Sequence, residues 1–308
     1  MVILSYGPSG KYRQLVDSLL KSDIRDVSSR IVVVHNPSVN GEQISFDSQT
    51  VTIVNNDSNA GYSGGMNVGL SALDAKSLRH ILFLTHEVSI DWLAIRRLRD
   101  ALDRNNRYAA VGPILHLPDG SLYSAGLAAC QRMADWDHRR DLPSPHVDLW
   151  ESDALDGSVM LWRGEVIHNL GGFDKRFFMY CEDVDVCCRA RGQGHAVGVV
   201  TDASAVSQPG GSQSRPAAHG YLRTRNGLEC QRKQGHTQLA VGLLAVLLNY
   251  LSQVPKPWRA RFRTAEGQAR ARAYRLGILR GLEAFVRRQW GPPSQALLTE
   301  TDIGGIGS

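Results

Sequence analysis

The sequence lacks the cysteine pattern of a disulfide-bonded secreted protein. Its 308 residues contain five cysteines, an odd number that shows no metal-type pairing. Two of them, Cys187 and Cys188, are adjacent and cannot both join a normal local bridge. This pattern indicates a reducing compartment and no disulfide framework.

Long hydrophobic runs are also lacking. The longest apolar stretch, 239–251, is too short to cross a bilayer and is interrupted by Gly242 and Asn249. The apolar residues 2–4 are too few for the hydrophobic region of a signal peptide. We therefore expect a soluble cytoplasmic protein, or one that is at most peripheral to the inner face of the membrane.

Acidic residues are scarce in one part of the chain. Between residues 255 and 290 only Glu266 and Glu283 oppose ten lysines and arginines, so this segment carries +8 while the whole chain carries +5. Two interpretations remain open. The segment is either a basic amphipathic surface for anionic lipid or a phosphorylated acceptor, or a helical pair that packs on the main domain or forms a homodimer contact. No nucleic-acid-binding motif accompanies the charge, so we expect no nucleic-acid partner.

The remaining composition is that of a globular protein, with 43% hydrophobic and 21% charged residues. In the first hundred residues short apolar strands alternate with helical patterns. Strands are predicted at 2–4, 31–34, 51–54 and 81–84, and helices at 12–20 and 91–102. A glycine-rich turn at 61–69 is predicted to lead into a further helix through Leu70 and Leu73. This alternation predicts an α/β fold, with a mostly parallel sheet and helices on both faces.

After Val111 the periodicity is weaker. A hairpin is predicted at 117–121, a long mobile loop at 130–153, strands at 159–162 and 196–200, and a short helix at 166–170. From Tyr221 onward the pattern is helical, with a break at 255–257 and a disordered tail at 301–308.

A glycine-rich segment, Asn59–Gly69, joins a predicted strand to a predicted helix. Its glycines allow close approach of the backbone to a ligand, and the following helix N-terminus offers N–H groups to a phosphate or polar ring. A sharp strand-to-helix turn is the alternative interpretation. The segment is neither a dinucleotide fingerprint nor a P-loop, which disfavours a dehydrogenase.

An acidic segment follows the aromatic run 177–180. Glu182, Asp183 and Asp185 stand at the start of a predicted helix, where acids are stabilised by the helix dipole and by free backbone N–H groups. Capping alone would explain them. A carboxylate at the edge of a pocket, however, can also accept a proton from an alcohol.

Taken together, these segments resemble glycosyltransferase family 2, and in particular its bacterial rhamnosyltransferase and galactofuranosyltransferase-like members. The resemblance covers residues 1 to about 230. The matching pieces are 2–6, 31–36, 59–69, 81–87, 156–158, 171–188 and Tyr221-x-x-x-Arg225-Asn226.

The resemblance implies a GT-A fold, which has a Rossmann-like, mostly parallel sheet, followed here by a C-terminal helical appendage. It implies a domain over 1–235, with a nucleotide-sugar-binding half at 1–110 and an acceptor and catalytic half at 111–235. The basic helical appendage then covers 236–300, and the tail covers 301–308.

The resemblance also implies an inverting transfer from a UDP-, dTDP- or GDP-linked sugar to an acceptor hydroxyl. Asp183 is the implied general base, with Glu182 beside it. Glu182 and Asp185 should raise the pKa of Asp183 by like-charge repulsion, whereas the helix N-terminus should lower it. The alternative is a non-catalytic nucleotide-sugar-binding or scaffold relative with a degenerate metal site.

The implied binding residues fall into two groups. Donor-binding residues are Ser5, Tyr6, Gly7, Asn36, Gly61, Gly64, Gly65, Asn67, Thr85 and His86. Acceptor and sugar-binding residues are Asp156, Gly157, Ser158, Arg215 and His219.

The family usually holds Mg²⁺ or Mn²⁺ at the position that Thr85-His86-Glu87 occupies here. Only Glu87 retains a carboxylate, with His86 as a second candidate ligand. Gln208 stands near the position where many relatives have a metal-binding histidine. Whether a divalent cation is needed is left open, and Arg215, His219 or Arg225 could meet the diphosphate charge instead.

Overall fold

The computed structural model describes residues 1–7, 10–21, 30–38, 42–47, 49–73, 78–130, 135–142, 147–208, 215–254, 264–294 and 297. The strands are β1 (Val2–Tyr6), β2 (Ile31–Asn36), β3 (Val51–Asn55), β4 (His80–Thr85), β5 (Val88–Ser89), β6 (Tyr108–His116), β7 (Leu122–Ser124), β8 (Leu127–Cys130), β9 (Asp135–His138), β10 (Leu149–Ser152), β11 (Val159–Arg163) and β12 (Ala196–Ser207). The helices are α1 (Lys11–Lys21), α2 (Gly61–Ala72), α3 (Trp92–Arg104), α4 (Gly164–Asn169), α5 (Glu182–Gly192), α6 (Pro216–Gln234), α7 (His236–Ser252) and α8 (Ala265–Val286).

The chain folds into two compact units. The first unit comprises 1–128, 137–175 and 182–209, and the second comprises 129–136, 176–181 and 210–308. The division into functional halves at residues 110 and 235 remains a prediction.

The first unit is built on one mixed sheet with the strand order β10-β12-β6-β11-β4-β1-β2-β3. Strands β3, β2, β1, β4, β6 and β12 run in one direction, and β11 runs against its neighbours β4 and β6. The short strands β5 and β7 pair with β12 and β6. The predicted mostly parallel sheet is confirmed.

Helices cover both faces of this sheet, as predicted. Successive side chains of β1 point to opposite faces. Ile3 belongs to a buried cluster that includes Leu15 of α1 and Leu98 of α3. Val2 and Leu4 face the glycines of α2 on the other side.

Apolar runs located most strands of the first unit, but three parts of the prediction were wrong. The glycine-rich stretch 61–69 is not a turn that precedes a helix, because α2 already begins at Gly61. The stretch 130–153 is not one long loop, because it contains β9 and β10, and β10 pairs with β12 from Leu149 to Ser152. Strand β12 also extends to Ser207, well beyond the predicted end at residue 200. Polar edge strands lack the apolar run that makes a buried strand recognisable.

The second unit contains α6, α7 and α8. Helix α6 begins at Pro216, earlier than predicted, and α7 follows directly after Gly235. Helices α6 and α8 pack with their backbones in close approach, since a Cβ on Gly277 would lie 2.1 Å from the carbonyl oxygen of Ala217. The predicted break at 255–257 and the predicted tail at 301–308 lie outside the described residues.

The packing of α2 on β1 leads to a stability prediction. A Cβ on Gly69 would lie 2.2 Å from Cγ1 of Val2, and the stiff β-branched valine cannot move away easily. We expect Gly69→Ala to lower the free energy of unfolding by about 1–3 kcal/mol in urea titrations. The matched control is Gly192→Ala in α5, where an added Cβ meets nothing within 4 Å. Equal stability of the two variants would contradict this packing.

Candidate active site

Asp183 is the second residue of α5, and two backbone N–H groups bind its carboxylate. Gly157 donates to Oδ2 at 3.0 Å, and Val184 donates to Oδ1 at 2.8 Å. The first hydrogen bond joins the segment before β11 to the start of α5. The structure therefore brings together Asp183 and Gly157, which the sequence had assigned to the catalytic and acceptor groups.

Tyr62 of α2 completes this arrangement. Its hydroxyl donates to the carbonyl oxygen of Gly157 at 2.5 Å. A Cβ on Gly157 would lie 3.3 Å from the Tyr62 hydroxyl and from Oδ2 of Asp183, which leaves little room for a side chain. Three segments far apart in sequence thus meet at one glycine.

The carboxylates at this point have unequal proton affinities. Burial raises the pKa of Asp183 from 3.8 to about 6, and the charge of Asp156 adds to this effect. The two N–H groups act in the opposite direction but do not cancel it. Burial, followed by the charge of Asp183, raises the pKa of Glu182 well above its usual range. Near neutral pH Asp183 is therefore mainly ionised, and Glu182 holds its proton more tightly than an ordinary carboxyl group.

Asp185 has a different role from its two neighbours. It is buried and forms an ion pair with Arg189, with Nε 2.8 Å from Oδ2. The other guanidinium nitrogens of Arg189 donate to the carbonyl oxygens of Leu170 and Gly172 at 2.7 Å. Asp185 therefore fixes the glycine turn before the aromatic run.

Asn67 of α2 also holds that turn. Its amide donates to the carbonyl oxygen of Phe173 at 2.7 Å and accepts from the N–H of Phe173 at 2.9 Å. Gly172, with φ +73°, has no space for a Cβ against this amide. Asn67 thus has a structural role, and its part in donor binding remains a prediction.

Asn36 is the last residue of β2, and its side chain binds the backbone of the glycine-rich segment. Its amide donates to the carbonyl oxygen of Gly61 at 2.9 Å, and its Oδ1 accepts from Asn56 and from the N–H of Ala60. Gly61 has φ +69°, a conformation that favours glycine. Gly7 also has a positive φ, and its N–H donates to the carbonyl oxygen of Asn36. The predicted donor residues of β1, β2 and α2 are therefore joined by hydrogen bonds.

Other predicted donor residues differ in their surroundings. Ser5 is fully buried, whereas Tyr6 is exposed. Gly65 packs against Leu4, where an added Cβ would lie 2.4 Å from Cδ1. An added Cβ on Gly64 would meet Ala60. Packing alone explains these last two glycines, and their contact with a donor remains a prediction.

Asp156 caps the turn that carries Gly157. Its Oδ1 accepts hydrogen bonds from the N–H and the hydroxyl of Ser158. Its Oδ2 lies 3.7 Å from Nδ1 of His138. The carbonyl oxygen of Ser158 accepts from the N–H of Thr85 at 3.1 Å, so the acceptor segment touches the end of β4.

The family model described as "Glycosyltransferase like family 2" matches residues 1–227. The chain belongs to this family, and it is a glycosyltransferase.

Two characterised glycosyltransferases are similar in sequence. The low-salt glycan biosynthesis hexosyltransferase Agl10 of Haloferax volcanii is 27% identical over 233 residues, which cover 69% of this chain and 72% of the relative. The N-acetylglucosaminyl-diphospho-decaprenol L-rhamnosyltransferase of Mycobacterium tuberculosis is 26% identical over 244 residues, which cover 71% and 79%.

A solved structure supports the fold. The crystal structure of GalNAc-T7 with UDP, GalNAc and Mn²⁺ has a TM-score of 0.53 and 12% sequence identity. The match covers 67% of this chain and 43% of that chain. The glycosyltransferase has the GT-A fold that the resemblance implied.

The metal ligands expected of the family are incomplete in the described residues. The backbone N–H of His86 donates to the carbonyl oxygen of Leu4 in β1, and Nδ1 of its imidazole lies 3.2 Å from the same oxygen. Burial lowers the pKa of this imidazole. The carbonyl oxygen of Glu87 accepts from the N–H of Gln208 at 3.0 Å. The described part of the chain contains no group of three or more His, Cys, Asp or Glu side chains placed to hold an ion. Residues 209–214, which follow Gln208, lie outside the described residues.

The predicted diphosphate-binding cations lie in the second unit. Arg215 stands at the N-terminus of α6, and the His219 ring packs against the rings of Tyr180 and Tyr274 at 5.0 and 5.7 Å. Arg225 is 0% exposed and donates to Oδ1 of Asn226 and to the carbonyl oxygen of Gly291. The suggestion that Arg225 meets a diphosphate was therefore wrong, because its guanidinium is enclosed by its own unit.

Sequence reasoning missed how the segment before α5 is held. Tyr180 and Cys181 both have left-handed φ values, 71° and 68°, although neither is glycine. In the second unit the amide of Asn226 donates to the carbonyl oxygens of Met179 and Tyr180, both at 2.9 Å. The resemblance had singled out Arg225-Asn226 as part of a matching motif, but it did not indicate that Asn226 holds the segment before α5. Tyr62 was likewise present in the glycine-rich motif without a role.

The raised pKa of Asp183 leads to a prediction about stability. A carboxyl with a pKa of about 6 in the folded state and 3.8 in the unfolded state binds its proton more tightly when folded. Its contribution to stability is therefore lost as pH rises through this window. We expect the free energy of unfolding of Asp183→Asn, relative to the unchanged protein, to rise by up to about 3 kcal/mol between pH 4 and pH 7.

The control for this measurement is Asp119→Asn. Asp119 is exposed, and hydrogen bonds from Ser121 lower its pKa. The same difference should not rise with pH in this variant. A difference for Asp183→Asn that stays constant with pH would show that the carboxyl is not destabilised by folding.

Proposed function

We propose that this glycosyltransferase moves a hexosyl or deoxyhexosyl group from a nucleotide-sugar donor to an acceptor hydroxyl, with inversion, and that Asp183 is the general base. The observation that carries the proposal is the carboxylate of Asp183 itself. It is half-buried, has a pKa of about 6 and is held in place by the N–H of Gly157, a glycine with little room for a side chain. A base with a pKa near the working pH is suited to accept a proton.

The chemistry needs one displacement. The acceptor oxygen attacks the anomeric carbon while its proton passes to Asp183. The bond from that carbon to the diphosphate oxygen breaks, and the nucleoside diphosphate leaves with the electron pair. Each oxygen of Asp183 accepts one backbone hydrogen bond, so each has a further lone pair for the acceptor hydroxyl.

Glu182 supports this assignment without acting as a second base. Burial, followed by the charge of Asp183, raises its pKa well above the usual range, so Glu182 holds its proton more tightly than an ordinary carboxyl group. A single displacement requires one base, and Asp183, with its pKa of about 6, is the carboxyl proposed for it.

The donor is proposed to bind at the carboxyl ends of β1, β2 and β4. Ligands of parallel sheets bind at this edge. Asn36, Gly7 and Gly61 are hydrogen-bonded there, and Thr85 and His86 follow β4 directly. Asp156, Gly157 and Ser158 would then face the transferred sugar, and Arg215 and His219 are proposed to bind the acceptor.

A divalent cation remains a proposal. The solved GalNAc-T7 structure contains Mn²⁺, and this chain offers Glu87 with His86 directly after β4. A single carboxylate is a weak site for Mg²⁺ or Mn²⁺. We therefore derive no step that passes through a metal ion.

The acceptor is proposed to be a sugar-bearing molecule in glycan biosynthesis. One relative acts on N-acetylglucosaminyl-diphospho-decaprenol, and the other is named for glycan biosynthesis. A cytoplasmic location is proposed from the cysteine pattern of the sequence, whose odd number and adjacent pair do not form a disulfide framework. No helix in the described ranges has the length and apolarity needed to cross a bilayer.

A non-catalytic scaffold is not favoured. Holding Asp183 ionised in a partly buried position is unfavourable for folding, and sugar-nucleotide binding alone does not need such a group. The similar proteins are also named for their transferase activities.

Asp183→Asn should reduce kcat by at least about a thousandfold while nucleotide binding survives, because the variant keeps the shape but cannot accept a proton. Transfer would be measured with radiolabelled donor, and binding by calorimetry. In the unchanged protein kcat/KM should fall about tenfold per pH unit below pH 6. Asp119→Asn serves as the control and should keep full activity. Turnover of Asp183→Asn near that of the control would remove Asp183 from the mechanism.

A thermal-shift panel would identify the donor nucleotide and test the cation. UDP, dTDP, GDP and their sugars would each be tested with Mn²⁺, Mg²⁺ or EDTA. We expect one nucleotide to raise the Tm more than the others, with Glu87→Gln abolishing any gain that depends on the metal. An equal shift in EDTA would show that no cation is needed for binding.

A further inference from the structure

Helix α7 presents an apolar face that is left exposed. Its leucines 243, 244, 247, 248 and 251 are between 43% and 56% exposed, and only Gly242 and Ala245 of this helix are buried. The stretch 236–254 contains no lysine, arginine, aspartate or glutamate. Exposed apolar surface of this kind marks a contact with a membrane or another protein.

The leucines form one continuous stripe. Leu243, Leu247 and Leu251 are spaced i, i+4, i+8, and Leu244 and Leu248 lie beside them with the same spacing. The stripe extends about 12 Å along the helix axis, at about 1.5 Å per residue. It is long enough to lie in the interface of a bilayer and too short to cross it.

Arginines stand at the N-terminal end of this stripe. A cavity of about 380 Å³ is lined by Leu239 of α7 together with Arg176, Arg232 and Arg288. Glu229, the acid in its lining, is buried and paired with Arg176 and Arg232 at 2.6 and 2.7 Å. The cavity therefore combines an apolar wall with an excess of positive charge.

The sequence beyond the C-terminal end of α7 is also basic. Residues 256–263 contain Lys256, Arg259, Arg261 and Arg263, with Trp258 and Phe262 between them and no acidic residue. Tryptophan and arginine are residues typical of the membrane interface. Cations therefore follow the leucine stripe in the sequence, and the arginines of the cavity lie at its N-terminal end.

We infer that α7 docks the second unit on an anionic phospholipid surface. The leucine stripe enters the boundary between headgroups and acyl chains, and the arginines of the cavity meet lipid phosphates. A second copy of this chain is a poorer occupant, because self-pairing through the stripe would bring two copies of the arginine-lined cavity together. The lipid surface instead supplies the opposite charge.

Vesicle flotation of the full chain tests this inference. The unchanged protein should float with vesicles of phosphatidylcholine and phosphatidylglycerol, bind much less to phosphatidylcholine alone, and be released by high salt. The triple variant L244E/L247E/L248E should bind at least about tenfold more weakly. These side chains are exposed, so the fold should be retained, which circular dichroism would check.

The matched control is L93E/L142E. Leu93 and Leu142 are 53% and 57% exposed in the first unit, so the control places glutamates at the same exposure, two instead of three. The control should float like the unchanged protein. Equal loss of binding in both variants, or equal binding of the unchanged protein to neutral vesicles, would overturn the inference.

A self-associating face would give a different result. In that case light scattering after gel filtration would show a dimer that L244E/L247E/L248E converts to a monomer, without lipid binding by either form, and the inference would fail. The flotation assay uses no nucleotide sugar, so its outcome is independent of the role of Asp183.

Discussion

The hydrogen bonds that meet at Gly157 are the contact on which the candidate site depends. The peptide of this residue accepts from Tyr62 through its carbonyl oxygen and, through its own N–H, donates to Asp183. Helix α2, the segment before β11 and helix α5 are thereby fixed to one another. A Cβ at Gly157 would lie 3.3 Å from both the Tyr62 hydroxyl and Oδ2 of Asp183, so a side chain there would crowd these hydrogen bonds.

Three asparagine side chains also hold backbone segments in place by hydrogen bonds. Asn36 binds the glycine-rich segment, Asn67 binds Phe173, and within the second unit Asn226 binds the carbonyl oxygens of Met179 and Tyr180. The left-handed conformations of Tyr180 and Cys181 are unfavourable for residues with a Cβ. They persist where the surroundings supply compensating hydrogen bonds.

The sequence predicted the sheet of the first unit well, because buried parallel strands are apolar runs that composition reveals. It predicted β10 poorly, since a polar edge strand has no such run. It also placed Glu182, Asp183 and Asp185 at a helix start, but could not separate their roles. That separation depends on Arg189, which pairs with Asp185, and on burial, which acts on the other two. Arg189 in turn binds the carbonyl oxygens of Leu170 and Gly172, and burial is produced by segments distant in the chain, so neither effect can be predicted from local sequence patterns.

The acidity of Asp183 also bears on what happens between one turnover and the next. A base that has taken up a proton must lose it before it can act again. With a pKa of about 6, the protonated carboxyl is about tenfold less populated than its anion at pH 7. If Asp183 is the base, the resting form is restored by equilibrium with water, and no second titrating residue is needed to reset the enzyme.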